Sequence, residues 1–364
     1  MAMLYFRQNG MLYVNAMKSY QMLPPRFNMP DFEDVWITTK DGVRIFAWFV
    51  RAPTNSRTAP TLMFFHGNAG TIAERLPNAE GLIKHANCNV LLVEYRGYGT
   101  SGGEPTEAGL KADAQGALDH LRSRTDIDTE NLFVFGRSLG GAVAIHLAHS
   151  NEGALRGMIV ENTFTCIREM GAALFPFLKA LPIDWLEALL ENKWHSDEII
   201  GELKLPCLFL AGKQDEIVPA PQMVELWERL GGAGNEQPSG STFVPFPLGK
   251  HNDTWTLPGY YAPLARFLRN AAKPGSCIGA AAAPAAAAAP ATAATQAKDD
   301  DDEWDPTEIL TRGAIEGLSV AELRKALTAR KVKHSQCVEK GELVVLLQQY
   351  QSGGGSGPIE APID

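Results

Sequence analysis

The stretch Leu132-Phe133-Val134-Phe135-Gly136-Arg137-Ser138-Leu139-Gly140-Gly141-Ala142-Val143-Ala144-Ile145-His146-Leu147-Ala148 decides how this chain is read. Its first four residues form an unbroken apolar run, the pattern of a strand buried on both faces. Its last seven form a helical run. Between them sits Gly136-Arg137-Ser138-Leu139-Gly140, the strand–turn–helix setting in which a serine is held on a sharp turn with its hydroxyl exposed. Only small residues fit beside so tight a turn, hence the flanking glycines. The helix starting beside the serine adds positive potential at its N-terminus. Ser138 is the expected nucleophile.

Working outward, the same strand–helix rhythm repeats from about residue 32 to residue 273. VWITTKDGVRIFAWFVRA, residues 35–52, reads as two strands around a Lys-Asp-Gly turn. TLMFFHG, VLLVEYR, GMIVEN and CLFLAGK are further apolar runs, each ending in turn residues. Helical patterns cover 73–86, 107–122, 139–149 and 220–230, with Thr106 placed to cap the second. Such alternation implies a mostly parallel, doubly wound α/β sheet with helices on both faces. Active residues of such sheets sit in loops at the carboxyl ends of the strands. Residues 163–205 hold no strand candidate and include FPFLKALPIDWLEALLENKW. Their position after the run GMIVEN makes them read as a helical lid inserted over the site, although for any one of Phe175, Phe177, Leu178, Trp185 and Leu189 core is the better reading.

A serine hydroxyl needs a base, and the expected chain order is serine, acid, histidine. Of the eight histidines, only His251 follows all strand candidates and precedes the last helix of the domain. His85, His120, His146 and His149 fall in helical patterns, and His195 falls in the lid. The acid should end the run CLFLAGK, where Asp215 stands. Glu216 is its competitor, and Asp253 is a weaker one because it is so close in sequence to His251. The oxyanion formed during attack needs backbone donors. Leu139 N–H is one. The other belongs to the loop His66-Gly67-Asn68-Ala69-Gly70-Thr71, with Asn68 N–H chosen and Ala69 the alternative. His66, placed before a glycine, suits a role in shaping that loop. Arg96 to Gly103 lacks both the P-loop lysine and the dinucleotide spacing, so it reads as a loop beside the site.

Composition bounds the rest. The chain has 364 residues, 45% of them hydrophobic, and a formal net charge of -9. That supports a sizeable core and argues against nonspecific nucleic-acid binding. Five scattered cysteines make no disulfide framework. No CxxC or HExxH spacing supports a zinc site, and no cofactor is expected. Residues 1–31 show neither a membrane span nor a signal peptide. The expected location is therefore intracellular, cytoplasmic or peripherally membrane-associated.

From Pro274 the composition shifts. Residues 274–306 form an Ala/Pro-rich and then acidic linker. Residues 307–350 give two short helical patterns, with Ser319 and Glu322 as a capping box. Residues 351–364 read as a disordered tail.

HGNAG, EYRGYGTSGGEPTEAGL, GRSLGGAVAIHLA, VENTF, AGKQDEIVP and GKHNDTW, in this order, resemble the α/β-hydrolase domain-containing proteins, most closely their bud-emergence-type branch. The resemblance covers roughly residues 32–273. It implies an α/β-hydrolase fold with Ser138, Asp215 and His251 as the triad. Related branches include protein depalmitoylases, and the domain also carries a serine-aminopeptidase label. Family members begin with a membrane-spanning helix, whereas here only MLYFRQNGMLYVNAM stands. The segment LSVAELRKAL…CVEKGELVVLL resembles a SAP-type helix–loop–helix. Its Arg324, Lys325, Arg330, Lys331, Lys333 and Lys340 face only three glutamates, a mildly basic balance that favours a protein partner over nucleic acid.

The expectation is an acyl ester or thioester hydrolase working through an acyl-enzyme, its substrate an acylated small molecule or protein. The alternatives are an amide hydrolase with the same triad, or a non-catalytic scaffold with a binding module.

Overall fold

The computed structural model describes residues 8–15, 20, 22–174, 190–231 and 237–272. The expected linker (274–306), helix–loop–helix (307–350) and tail (351–364), and the middle of the expected lid (175–189), lie outside those residues.

Eight strands build one sheet: β1 Phe32–Thr38, β2 Arg44–Val50, β3 Thr61–Phe65, β4 Asn89–Val93, β5 Leu132–Arg137, β6 Gly157–Glu161, β7 Cys207–Gly212 and β8 Thr242–Phe246. Their order is β1-β2-β4-β3-β5-β6-β7-β8. β1 and β2 form an antiparallel hairpin with Val35 opposite Ala47, and β2 runs antiparallel to β4. From β4 to β8 every neighbouring pair is parallel. The hairpin turns at Lys40-Asp41-Gly42, where Gly42 takes a φ of 83° that suits glycine.

The described helices are α1 Gln8–Leu12, α2 Leu76–Ala86, α3 Glu107–Ser123, α4 Leu139–Ser150, α5 Ile167–Leu174, α6 Ser196–Ile199, α7 Ala220–Arg229 and α8 Tyr261–Ala271. They cover both faces of the sheet. β5 shows why its run had to be apolar throughout. Leu132 and Val134 join one core with Leu118, Val143 and Leu226, while Phe133 and Phe135 join the other with Leu82, Leu264 and Leu268. Each large side chain so buried contributes about 1.5–3 kcal/mol relative to exposure.

Local chemistry sets the helix boundaries. Thr106 Oγ1 accepts the Gly109 N–H at 3.0 Å and starts α3. α2 begins three residues later than the periodicity suggests. Thr71 and Glu74 form a reciprocal cap on a 3-10 turn, Ile72–Arg75. Pro77, which has no N–H to give, then fits only the first turn of the helix that follows. Among the described residues, 163–205 contain no strand, only α5, α6 and a 3-10 turn.

Because β3, β5, β6, β7 and β8 are mutually parallel, the segments that follow them emerge at one edge of the sheet. Residues 66–71, Ser138, Asn162, Asp215 and His251 all lie in those segments.

Candidate active site

Ser138 connects β5 to α4 with φ 52° and ψ −121°. A non-glycine residue holds such a conformation only where its surroundings impose it. Here the Ser138 N–H donates to Glu161 O at 2.9 Å, and its carbonyl accepts from Gly141 N–H at 2.9 Å and Thr163 Oγ1 at 2.7 Å. The flanking glycines answer to close approach. A Cβ on Gly136 would lie 2.0 Å from Gly140 O, and one on Gly140 would lie 2.1 Å from Phe65 O.

Asp215 and His251 meet side chain to side chain. His251 Nδ1 lies 2.8 Å from Asp215 Oδ2, with the two side chains 6% and 2% exposed. The other carboxylate oxygen, Oδ1, accepts the N–H groups of Ile217 at 2.9 Å and Val218 at 2.7 Å. The carboxylate is thereby aimed at the ring. The two rival acids do other things. Glu216 is exposed, accepts the His251 backbone N–H at 3.3 Å, and is held below the usual carboxylate range mainly by its own backbone N–H. Asp253 accepts the Lys250 N–H at 2.9 Å.

Three consecutive residues at the end of β6 tie Ser138 to the His251 loop. Glu161 and Thr163 grip the Ser138 backbone as described. Between them, Asn162 adopts φ 47° and spans the His251 loop. Its Nδ2 lies within 3.0–3.1 Å of Lys250 O, His251 O and Thr254 Oγ1, and its Oδ1 accepts the Gly212 N–H at 2.8 Å. Sequence reasoning passed over Asn162. The available signal was the abrupt polar ending Glu161-Asn162-Thr163 on the apolar run GMIV.

A buried polar group supports the elbow from below. Arg137 Nη2 lies 3.2 Å from Glu161 Oε2 and 3.2 Å from Asn78 Oδ1, and Tyr260 donates to the same glutamate oxygen at 2.7 Å. Breaking one partner of such a pair is costly, because it leaves an uncompensated buried charge.

The loop after β3 reaches Ser138: a Cβ on Gly67 would sit 3.4 Å from Ser138 Cβ. Ala69 N–H donates to Asn68 Oδ1 at 3.0 Å, and Arg75 donates to Ala69 O at 2.8 Å. Burial, and then the nearby Arg137, lowers Arg75 to about 10. His66 is fully buried, with Nδ1 2.7 Å from Gly67 O and Nε2 3.2 Å from Glu94 Oε1, and its ring packs on Tyr95 at 4.3 Å. That is a shaping role. The 96–103 loop flanks the same region, since Tyr98 donates to Asn68 Oδ1 at 2.8 Å. Of the remaining histidines, His85 stacks on Tyr261 and His149 pairs with Glu202.

Among the described residues, one group could hold a metal. Cys166, His195 and Asp197 place ligand atoms within 4.8 Å of one another. They sit at the neck of the 163–205 insertion, where Ile167 N–H meets Lys193 O and Asp197 N–H meets Thr165 O. Also among those residues, no helix is long and apolar enough to cross a membrane.

With this geometry in hand, similarity to known proteins is informative. Residues 56–194 match the family model described as serine aminopeptidase, S33. The Arabidopsis thaliana alpha/beta hydrolase domain-containing protein WAV2 is 42% identical over 284 residues, covering 74% of this chain and 90% of that protein. Protein bem46 of Schizosaccharomyces pombe is 38% identical over 270 residues, covering 73% and 87%. The Pyrococcus furiosus esterase Pf2001 superposes with a TM-score of 0.57 at 21% identity, over 70% of this chain and 98% of that one, a likeness of fold. The chain belongs to the α/β-hydrolase domain-containing family, in its bud-emergence-type branch, and carries that family's hydrolase fold.

Proposed function

We propose that this protein is a serine hydrolase that cleaves carboxylic esters or thioesters through an acyl-enzyme on Ser138. The observation that carries this reading is the buried Asp215–His251 pair, at 2.8 Å, on the same sheet edge as a serine held at φ 52°. Asp215 accepts the hydrogen bond of the Nδ1–H, which keeps that proton on Nδ1 and leaves Nε2 as the basic nitrogen. His251 Nε2 takes the Ser138 hydroxyl proton as Oγ attacks the acyl carbonyl. The carbonyl π electrons move onto oxygen, where the N–H groups of Leu139 and Asn68 receive them. The engagement of Ala69 N–H with the Asn68 side chain favours Asn68 over Ala69 as the second donor. The intermediate collapses, the bond to the leaving alcohol or thiol breaks, and His251 returns the proton to that group. Water, deprotonated by His251, then releases the acid and regenerates the hydroxyl.

A long acyl chain, including one on a protein cysteine, would bring the enzyme to a membrane surface as a peripheral protein. The second reading, amide hydrolysis, is suggested by the description of the matched family model. A series of p-nitrophenyl esters and acyl thioesters of increasing length, run beside aminoacyl amides, separates these substrates. A fluorophosphonate should label the wild type and leave Ser138→Ala unlabelled. Equal labelling of both proteins refutes the assignment. The mildly basic 307–350 segment would bind a protein partner, so removing residues 274–364 should leave hydrolysis intact. A folded truncation without activity contradicts that division.

A further inference from the structure

Asn68 is held in an unusual way. Its amide bridges two backbone groups of the N-terminal segment, donating to Leu12 O at 2.6 Å and accepting the Val14 N–H at 2.9 Å. The same Oδ1 also takes the Ala69 N–H at 3.0 Å and the Tyr98 hydroxyl at 2.8 Å. Ala69 and Gly70, which follow, have φ of 66° and 70°. A non-glycine residue does not hold that conformation unaided. The loop is therefore shaped from outside, and the chain segment before β1 supplies two of the hydrogen bonds that hold it.

That segment is itself anchored. Tyr13 is buried, donates to Asn192 Oδ1 at 3.0 Å and accepts the Trp194 indole N–H at 3.2 Å. Asn192 also donates to Asn9 Oδ1 at 2.6 Å, and Asn15 donates to Gly97 O at 2.9 Å. A helix as short as α1 has no stability of its own in water. These side-chain anchors are what seat it between the insertion's outgoing end, the 96–103 loop and the loop beside Ser138.

We infer that the N-terminal segment Leu12–Val14 is a positioning element for the reaction: by clamping the Asn68 amide it sets the direction of the Asn68 backbone N–H toward the developing oxyanion. This rests on the Ser138 acyl-enzyme reading. The segment touches no reacting atom. It acts through the donor, so its loss should appear in kcat and in the binding of a charged tetrahedral adduct, and not in KM.

The test uses the full chain with two substitutions. Val14→Pro deletes the N–H given to Asn68 and leaves Asn68 itself intact. Tyr13→Phe removes only the anchoring hydroxyl, and serves if the proline variant does not fold. Each folded variant is assayed with a p-nitrophenyl ester and with an alkyl trifluoromethyl ketone, which adds the serine oxygen to form a charged hemiketal. Complete loss of one oxyanion donor costs on the order of 100- to 1,000-fold in kcat. Misdirecting it should cost about tenfold in Val14→Pro and about threefold in Tyr13→Phe, with ketone affinity falling by the same factor and KM within about twofold. A lower melting temperature with unchanged kcat and unchanged ketone affinity would mean that the segment merely packs, and overturns the inference. Wild-type turnover that survives Ser138→Ala instead overturns the acyl-enzyme reading, and this inference with it.

Discussion

Replacing Asn162 by alanine probes how His251 is kept in register with Ser138. The side chain has two N–H groups within reach of Lys250 O, His251 O and Thr254 Oγ1, so at least one hydrogen is shared, and its oxygen holds the Gly212 N–H. Alanine leaves that buried N–H without its acceptor, a loss of about 1–3 kcal/mol. It also asks alanine, which lacks the polar side chain that eases asparagine into the left-handed region, to keep φ 47°, at roughly 1–2 kcal/mol more. The expected destabilisation is therefore about 2–5 kcal/mol. The His251 loop, released on its backbone side, should let the ring drift, and a displacement near 1 Å costs on the order of 100-fold in rate. Asn162→Gly separates the two contributions, because it tolerates the left-handed backbone yet loses the same hydrogen bonds. Asn162→Asp keeps an acceptor for Gly212 and loses the donors. Urea unfolding followed by fluorescence gives the stability, and p-nitrophenyl ester turnover gives kcat. If Asn162→Ala unfolds within about 0.5 kcal/mol of wild type and keeps its kcat, the bracket argued here does not act.

Asp215→Asn should lower kcat by about 10⁴-fold by favouring the wrong imidazole tautomer. Glu216→Gln, a change in an exposed side chain, should stay within about twofold, and the reverse ranking in an ester assay would reassign the acid. His146 titrates low, near 4 against an ordinary 6.5, mainly through burial and then through Lys111. The unfolded chain therefore takes up that proton first. The contribution of neutral His146 to stability is complete above 6.5 and is lost as pH falls toward 4. Urea midpoints across that window should rise with pH, less steeply in His146→Gln, and identical slopes would remove His146 as a cause.

What the sequence made legible follows from what burial demands. Strands covered on both faces need near-continuous apolar runs, so β3, β5, β6 and β7 stood out, with Arg137 and Glu161 at the ends of β5 and β6 pairing with each other. The elbow was readable because Gly136 and Gly140 answer to contacts that any Cβ would violate. The Asp215–His251 contact matches the expectation drawn from chain order and strand ends, and only the geometry shows that Glu216 meets the His251 backbone N–H and not the ring. Asn162, and the hold of Leu12–Val14 on Asn68, were not readable. Side-chain-to-backbone brackets follow no periodicity, and Asn68 lies 56 residues from Leu12. The late start of α2 was hidden for a related reason. A reciprocal Thr71–Glu74 cap produces a 3-10 turn where periodicity alone continues a helix.

The most direct trial of the account is to trap the covalent intermediate. Enzyme mixed with a p-nitrophenyl ester is quenched in acid during the burst, digested, and mapped by mass spectrometry. A Ser138 acyl-enzyme would give one acyl group, carried by the oxygen of Ser138 and absent from Ser138→Ala. Turnover with no acylated peptide, or an acyl group stably attached to another residue in a protein that stays active as Ser138→Ala, contradicts it.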